Sequence, residues 1–366
     1  MKPENVLKMK KIVSLGTSNA ISAISHAIKM WGKGHNLSIY RIFQRPVSKL
    51  LSEEDVVRII NCDAFLVDGT WGSTSPKRQK YKTIDIEKDK DGKVIDFNRF
   101  AWMEYVNLQA SRLAKKYRKP LLVTESATLS RIKCNYIDTW YKKTGPRYYR
   151  MGKNQWTYGK TKWCKSLNLQ RLNNMIMLTT RYNPEVKLEN IYNHQWKNNK
   201  DGAVLIVPGL EHDPTSSMPV PEFIKTTVEK VRKATTRKIL VKAHPHSKIV
   251  IEDLVEDVEV VDRDVTLNSI IDRVYCGVLG ESTSIFQLIN LGIPCITSKY
   301  NFGAGIISYD KEGVKLENTD IDKIEDLYYA EPEEVLEWYK MVSYTEFTLK
   351  EFDSDTILHY IKELIQ

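Results

Sequence analysis

Short apolar runs that alternate with stretches of helical pattern are the feature that most constrains the fold of this 366-residue chain. Runs rich in Val, Ile and Leu are typical of strands that are buried on both faces. Their alternation with helices predicts an α/β fold in which helices cover parallel sheets on both sides. The predicted strands are 12–16, 37–43, 64–68, 120–125, 203–209, 238–245, 258–262, 274–280 and 294–298. The predicted helices are 19–33, 53–60, 99–117, 220–233, 266–273 and 284–291.

The predicted strands fall into two sets, and a polar, interrupted stretch at 183–202 separates them. Single cores tend to split beyond ~250–300 residues, so we interpret the two sets as Rossmann-like domains at 1–182 and 203–331, joined by that linker. An unusual region at 130–171 breaks the pattern of the first domain and is predicted to be an insertion. The remaining residues, 332–366, have a helical pattern and either cap the second domain or cross back to the first.

The lengths of the apolar runs and the spacing of the cysteines indicate the compartment in which the protein works. A membrane-spanning helix needs ~20 consecutive apolar residues, and runs such as 64–67 and 204–207 stop at four. The first residues carry positive charge but no apolar core of a secretory signal. The five cysteines are far apart and include no CxxC, which argues against a zinc cluster or a disulfide framework. We therefore expect a soluble, cytoplasmic protein without membrane contact, and a monomer.

Positive charge is concentrated in residues 130–171, which we call the basic–aromatic segment. Eleven Lys and Arg residues and one acid give it a net charge of +10, whereas the whole chain carries +9. It also contains eight aromatic residues, and rings stack on bases while cations neutralise phosphates. The pattern favours a nucleic acid, although another polyanion or a solvated loop with its own aromatic core also fits. The candidate contacts are Lys142, Lys143, Arg147, Tyr149, Arg150, Lys153, Trp156, Lys160 and Lys162.

Two motifs follow predicted strands of the second domain. KAHPHS places His244 and Pro245 just past one strand, at the edge where open α/β sheets bind ligands. GESTSIFQLINLGIPC begins at Gly280, after another strand, and puts three hydroxyl side chains at a helix start, which suits a phosphate. A lone His or a Ser-rich helix start is more often structural, but both together at one sheet edge favour a phosphate site.

This pair of motifs resembles the nucleotide-sugar half of glycosyltransferases of the GT-B architecture, and in particular phage-encoded enzymes that glycosylate hydroxymethylated DNA bases. The likeness covers residues 120–300 and includes the stretch YYRMGKNQWTYG. It implies two domains that face a cleft, a nucleotide-sugar co-substrate that is UDP-linked, and double-stranded DNA with a modified pyrimidine as the partner. Gln287 and Asn290 stand where the family commonly has an acid that holds the ribose. The donor-binding residues that it implies are His212, His244, Pro245, Glu281, Ser282, Thr283 and Ser284. It also implies that the loop at 208–217 faces the same cleft, where Glu211, His212 and Asp213 either contact the donor sugar or the acceptor or form a surface turn.

Glycosyl transfer requires a group that deprotonates the acceptor hydroxyl, and an inverting transferase uses a carboxylate or a His for this step. Asp68 and Glu125 end predicted strands of the first domain, and Asp213 is the next candidate. A lone carboxylate at a strand end is more often a structural, hydrogen-bonded group than a catalytic base. Arg150 could offset the charge of the departing phosphate. We predict no metal and no cofactor besides the nucleotide sugar.

Three functional hypotheses remain open at this stage. The first is a glycosyltransferase that acts on hydroxymethylated pyrimidines in DNA. The second is a transferase that acts on a polysaccharide or a lipid-linked glycan, and the third is a non-catalytic nucleic-acid-binding protein with a degenerate nucleotide fold. The sequence contains no GxGxxG, no GxxxxGK[ST] and no GxSxG, so dinucleotide oxidoreduction, P-loop phosphoryl transfer and hydrolase chemistry fit poorly.

Overall fold

The structure is a computed structural model. It describes residues 9–15, 19–42, 53–68, 110, 112–126, 149–153, 169–180, 186–209, 211, 218–245, 247–280, 282–297, 320–347, 351 and 356–365. The strands are β1 (Lys10–Leu15), β2 (Leu37–Ile42), β3 (Ala64–Asp68), β4 (Leu121–Ser126), β5 (Tyr149–Lys153), β6 (Ala203–Val207), β7 (Ile239–Lys242), β8 (Glu259–Val261), β9 (Val274–Leu279), β10 (Cys295–Thr297) and β11 (Glu346–Phe347). The α-helices are α1 (Asn19–Trp31), α2 (Glu53–Asn61), α3 (Leu169–Thr180), α4 (Leu188–Tyr192), α5 (Val220–Ala234), α6 (Leu267–Ile270), α7 (Ile285–Asn290), α8 (Pro332–Thr345) and α9 (Thr356–Ile365).

The first sheet has six strands in the order β11-β5-β4-β3-β1-β2. β1 pairs in parallel with β2 and β3, and β3 pairs in parallel with β4, whereas β5 and β11 are antiparallel additions at one edge. Phe65, Leu66 and Val67 of β3 are all fully buried. Consecutive strand residues point to opposite faces, so both faces of the sheet are covered, as the continuous apolar runs predict.

The second sheet has five parallel strands in the order β10-β9-β6-β7-β8. Numbered along the chain from β6, this is the Rossmann order, in which the connections reverse direction between the first and fourth strands. The reversal therefore lies between β6 and β9. The prediction of an α/β fold with parallel strands is confirmed, and the division into two domains that face a cleft stays a prediction.

The C-terminal segment crosses back to the first sheet, the second of the two alternatives for residues 332–366. α8 begins with a capping box between Glu331 and Glu334. In the middle of α8, the hydroxyl of the buried Tyr339 donates a hydrogen bond to the backbone carbonyl of Phe286 at 2.7 Å. The neighbouring Trp338 stacks on the ring of Phe286. After α8, β11 pairs with β5, so the chain joins both sheets.

Arg171, in the first turn of α3, binds the segment that follows α8 and that pairs with the first sheet. Its Nε donates to the carbonyl of Ser343 at 2.8 Å, and its Nη2 donates to the carbonyl of Glu346 at 2.5 Å. The guanidinium also forms an ion pair with Glu351. Arg171 is the last cation of the basic–aromatic segment, and in the structure it binds the C-terminal segment.

Two strands, β5 and β11, are absent from the predicted set. The sequence of β5, YRMGK, contains a glycine and two cations and has no apolar alternation. Strand formation of this kind depends on pairing with a neighbour more than on the intrinsic preference of the residues. Residues 149–153, assigned by the sequence to an insertion, thus belong to the sheet. Of the predicted helix 99–117, residues 110 and 112–117 are helical, and residues 99–109 and 111 lie outside the described part of the chain.

Residues 186–202, the described part of the stretch predicted as a linker, pack on the second sheet's α7. The side chain of Asn290 in α7 is buried and bonds both backbone groups of Lys187, accepting from its amide at 3.0 Å and donating to its carbonyl at 2.9 Å. The stretch also contains α4 and the buried His194. Burial lowers the pKa of His194 to about 4.

Candidate functional site

A cavity of about 400 Å³ opens at the carboxyl edge of the second sheet. Its walls come from the ends of β6 and β7, from the loop that follows β8, and from the turn between β9 and α7. β6 and β9 are the neighbouring strands at which the strand order reverses, and the helices that follow them, α5 and α7, pack on opposite faces of the sheet. Open α/β sheets bind ligands at this position, so the cavity is the candidate binding site of the second sheet.

Two cations that sequence reasoning did not single out line the cavity, Lys242 and Arg263. Lys242 ends β7 and is only 6% exposed. Its ammonium donates to the carbonyl of Arg263 at 2.9 Å, while the Arg263 guanidinium donates to the carbonyl of Ile249 at 2.8 Å. The one signal in the sequence is a lysine that closes an otherwise apolar strand. Asp264 also lines the cavity, so the two cations exceed the acids of the described lining by one, which favours an anionic ligand.

His244 and Pro245 lie on the cavity wall, as the KAHPHS motif predicts. They follow β7 directly, and the turn closes when the amide of Ser247 donates to the carbonyl of His244 at 2.8 Å. The imidazole is partly exposed and stands two residues from the buried Lys242. An imidazole at this place can donate a hydrogen bond to a phosphate oxygen.

Three hydroxyl side chains, Ser282, Thr283 and Ser284, stand on the opposite side of the same cavity. Ser282 Oγ accepts from the amide of Ser284 at 3.3 Å and donates to the Ser284 hydroxyl at 3.2 Å, which forms a compact turn. The helix that follows has only six residues, so its dipole adds little beyond its first amides. The hydroxyl groups are thus the polar feature of this wall.

The end of the second motif has an architectural role. Gly292 has a φ of +79°, and a Cβ built on it would lie 2.3 Å from the carbonyl oxygen of Gln195. Only glycine fits both the conformation and the space. Gln287 lines the cavity, whereas the buried Asn290 is tied to Lys187 and is not among the lining residues.

Glu211, in the loop after β6, binds the loop that carries His244. Its Oε1 accepts from the hydroxyl of Ser247 at 2.5 Å and from the amides of Lys248 and Ile249 at 2.8 and 2.9 Å. Burial raises the pKa of this carboxyl, but the hydrogen bonds outweigh burial, and the pKa lies below its ordinary value. The sequence left open whether Glu211 contacts a ligand or forms a turn, and in the structure it joins two loops.

The proposed bases of the first domain lie at the carboxyl edge of the first sheet. Asp68 ends β3 and pairs with Thr124, the neighbour of Glu125 in β4. Arg150 in β5 pairs in register with Glu125 on one side and with Glu346 on the other. Tyr149 and Lys153 are the end residues of β5. The remaining candidates lie outside the described residues, namely His212, Asp213, Glu281, Lys142, Lys143, Arg147, Trp156, Lys160 and Lys162.

The described part of the chain contains three buried cysteines, Cys62, Cys276 and Cys295. Burial raises the pKa of the thiols of Cys62, Cys276 and Cys295, which makes them poor nucleophiles. Among the described residues, no group of three or more His, Cys, Asp or Glu side chains could hold a metal ion. None of the helices within the described ranges has the length and apolar character needed to cross a bilayer.

No family model matches the chain, and no curated protein matches it. Among solved structures, KpsC from Thermosulfurimonas dismutans, described as a beta Kdo 2,4 transferase, aligns over 98% of both chains with 12% identity and a TM-score of 0.45. A KpsC structure described as a beta Kdo 2,7 transferase covers 97% of this chain and 98% of its own, with 14% identity and a TM-score of 0.42. The calicheamicin glycosyltransferase CalG4 covers 80% of each chain with 9% identity and a TM-score of 0.22. At these values the likeness establishes neither the fold nor the function of this chain.

Proposed function

We propose that the protein is a glycosyltransferase that binds a nucleotide sugar in the cavity of the second sheet. The observation that carries this proposal is the meeting of Lys242, Arg263 and His244 with the hydroxyls of residues 282–284 around one cavity at the switch point. A cavity of 400 Å³ lies within the usual range for small-molecule sites, ~300–1,000 Å³. Cations and hydroxyls that converge there suit the phosphates of a nucleotide.

The proposed reaction exchanges one bond of the sugar for another. The bond between the anomeric carbon and the phosphate oxygen breaks, and a bond forms between the anomeric carbon and the acceptor oxygen. The nucleotide leaves as an anion, whose growing charge the cavity cations would stabilise. The acceptor proton passes to a carboxylate, for which Asp68, Glu125 and Asp213 are the candidates.

Nucleotide binding is the first test of this proposal. Calorimetry with nucleoside mono- and diphosphates should show binding to the wild-type protein, with UDP as the expected partner. His244→Ala should weaken nucleotide binding. Lys242→Met should also weaken it because the positive charge is lost, and Met is chosen because it keeps most of the volume of the side chain. Failure of the wild-type protein to bind any of these nucleotides would refute the proposal.

The candidate bases can be separated by amide variants. The variant that removes the base should bind both substrates and lose ~10²-fold or more in turnover. Asp68→Asn, Glu125→Gln and Asp213→Asn are the three variants to compare. Normal turnover in all three would mean that the base is another residue.

The acceptor proposed from the sequence is double-stranded DNA with a hydroxymethylated pyrimidine. The net charge of the basic–aromatic segment supports it, and the pairing of Arg171 with Glu351 removes one cation from that set. Replacing Lys142, Lys143, Lys160 and Lys162 together by Ala should reduce the slope of log affinity against log salt by up to ~0.9 for each phosphate that is no longer neutralised. An unchanged slope, with nucleotide-sugar hydrolysis intact, would instead favour a glycan acceptor. Mass spectrometry of nucleosides from hydroxymethylated DNA incubated with a panel of nucleotide sugars would identify the product.

A further inference from the structure

Glu211 joins two loops whose first residues line the proposed donor cavity. The loop after β6 carries Glu211, and the loop after β7 carries His244 and the three groups that Glu211 binds. Ser247 is 3% exposed, so its hydroxyl depends on a partner within the protein. Glu211 itself is not among the described residues that line the cavity.

The hydrogen bonds form a chain that ends on the His244 backbone. Glu211 Oε1 accepts from the Ser247 hydroxyl, and the Ser247 amide donates to the carbonyl of His244 at 2.8 Å. Two consecutive amides, those of Lys248 and Ile249, converge on the same carboxylate oxygen. One side chain from a neighbouring loop thus fixes the course of the chain directly after His244.

We propose that Glu211 is a positioning residue for the donor site, which it serves by holding the loop of His244 and Pro245 in its binding conformation. This inference rests on the proposed function, since it assumes that the cavity binds the nucleotide. When a loop is already ordered before binding, the ligand does not bear the entropic cost of ordering it, and the affinity is higher for that reason. Glu211 would therefore act on a nucleotide that it does not touch.

Whether Glu211 variants bind the nucleotide more tightly or more weakly separates a positioning role from a simple effect of charge. A carboxylate near an anion site repels the phosphates, so if its charge alone mattered, Glu211→Ala and Glu211→Gln would both tighten nucleotide binding. If position matters, Glu211→Ala should weaken binding about tenfold or more, because the loop must then be ordered on binding. Glu211→Gln should largely restore it, because the amide oxygen can still accept from Ser247, Lys248 and Ile249.

Glu325 offers a matched control at the other edge of the same sheet. It bonds Arg237, which precedes β7, and the hydroxyl of Thr235. Glu325→Ala should therefore lower the stability of the same half of the chain and leave nucleotide affinity unchanged. A loss of affinity in Glu325→Ala equal to that in Glu211→Ala would overturn the positioning role.

The experiment combines calorimetry with UDP and amide hydrogen exchange in the full-length protein. In Glu211→Ala, the amides of Lys248 and Ile249 should exchange faster than in the wild-type protein, and UDP affinity should fall. Faster exchange with unchanged affinity would overturn the positioning role and leave the proposed function intact. If UDP and the other nucleotides failed to bind the wild-type protein, the proposed function would fall and this role with it.

Discussion

Replacing Arg171 by Ala should destabilise the protein through the loss of its link to the C-terminal segment. The guanidinium donates to two backbone carbonyls, those of Ser343 and Glu346, and pairs with the carboxylate of Glu351. The side chains of the ion pair are only 15% and 16% exposed. Its removal therefore leaves one carboxylate and two carbonyls in a site with little access to water.

The magnitude follows from these contacts. Removal of one partner from a fully buried ion pair costs ~3–5 kcal/mol, and an exposed pair contributes ~0–1 kcal/mol. The Arg171 pair lies nearer the buried case and also makes two charge-assisted bonds to carbonyls. We expect Arg171→Ala to cost ~3 kcal/mol, a large fraction of the ~5–15 kcal/mol by which a native protein is stable.

Urea unfolding of a double-mutant cycle measures this contribution. Arg171→Ala, Glu351→Ala and the double variant should be non-additive by ~1 kcal/mol or more, because the two residues share one interaction. Arg273→Ala is the control, since its pair with Glu259 has side chains that are 54% and 48% exposed and should cost under ~1 kcal/mol. If Arg171→Ala were no more destabilising than Arg273→Ala, the reasoning about this link would be refuted.

Three further predictions concern the core. Burial lowers the pKa of His194 to about 4, so the folded state favours the neutral ring. The contribution of this residue to the free energy of unfolding is therefore full above pH 6.5 and falls by ~3 kcal/mol as the pH drops towards 4. Urea midpoints measured against pH should show this dependence, and the His194→Leu variant should lack it. Tyr339→Phe leaves the carbonyl of Phe286 without its hydroxyl donor and should cost ~1–3 kcal/mol in urea unfolding, and a cost under ~0.5 kcal/mol would contradict the importance of this bond. Gly292→Ala combines a strained φ with a clash against the carbonyl of Gln195 and should lower the thermal midpoint by several degrees, whereas an unchanged midpoint would show that the backbone there can shift.

The parts of the fold that could be predicted are those whose pattern is local. The apolar runs at 64–68 and 203–209 predict buried strands because both faces of a parallel sheet are covered. β5 could not be predicted in this way, because YRMGK becomes a strand only through its pairing with β4 and β11. Strand order likewise depends on pairing between distant segments, which a reading of local patterns does not contain.

The candidate site likewise contains residues that local patterns predict and residues that they do not. His244 and the hydroxyls of residues 282–284 could be found because both motifs directly follow strands, and parallel strands bring their carboxyl ends to one edge. Lys242 and Arg263 could not, since an isolated cation in a sequence gives no indication of what it faces. The role of Glu211 depends on a contact across 36 residues with Ser247, and no local pattern predicts such a contact.

The edge of the first sheet is completed by β11, a strand that lies far from β5 along the chain, and this distance affects how the protein can fold during synthesis. β5 ends at residue 153, and its neighbour β11 begins at residue 346, so 192 residues separate the two paired strands. At ~5–20 residues per second, a ribosome needs roughly 10–40 s to supply the missing strand. During this time one edge of β5 has no β11 to pair with, and an open strand edge is a template for pairing with other chains. A nascent chain halted between these strands should therefore bind chaperones and aggregate more readily than the finished protein.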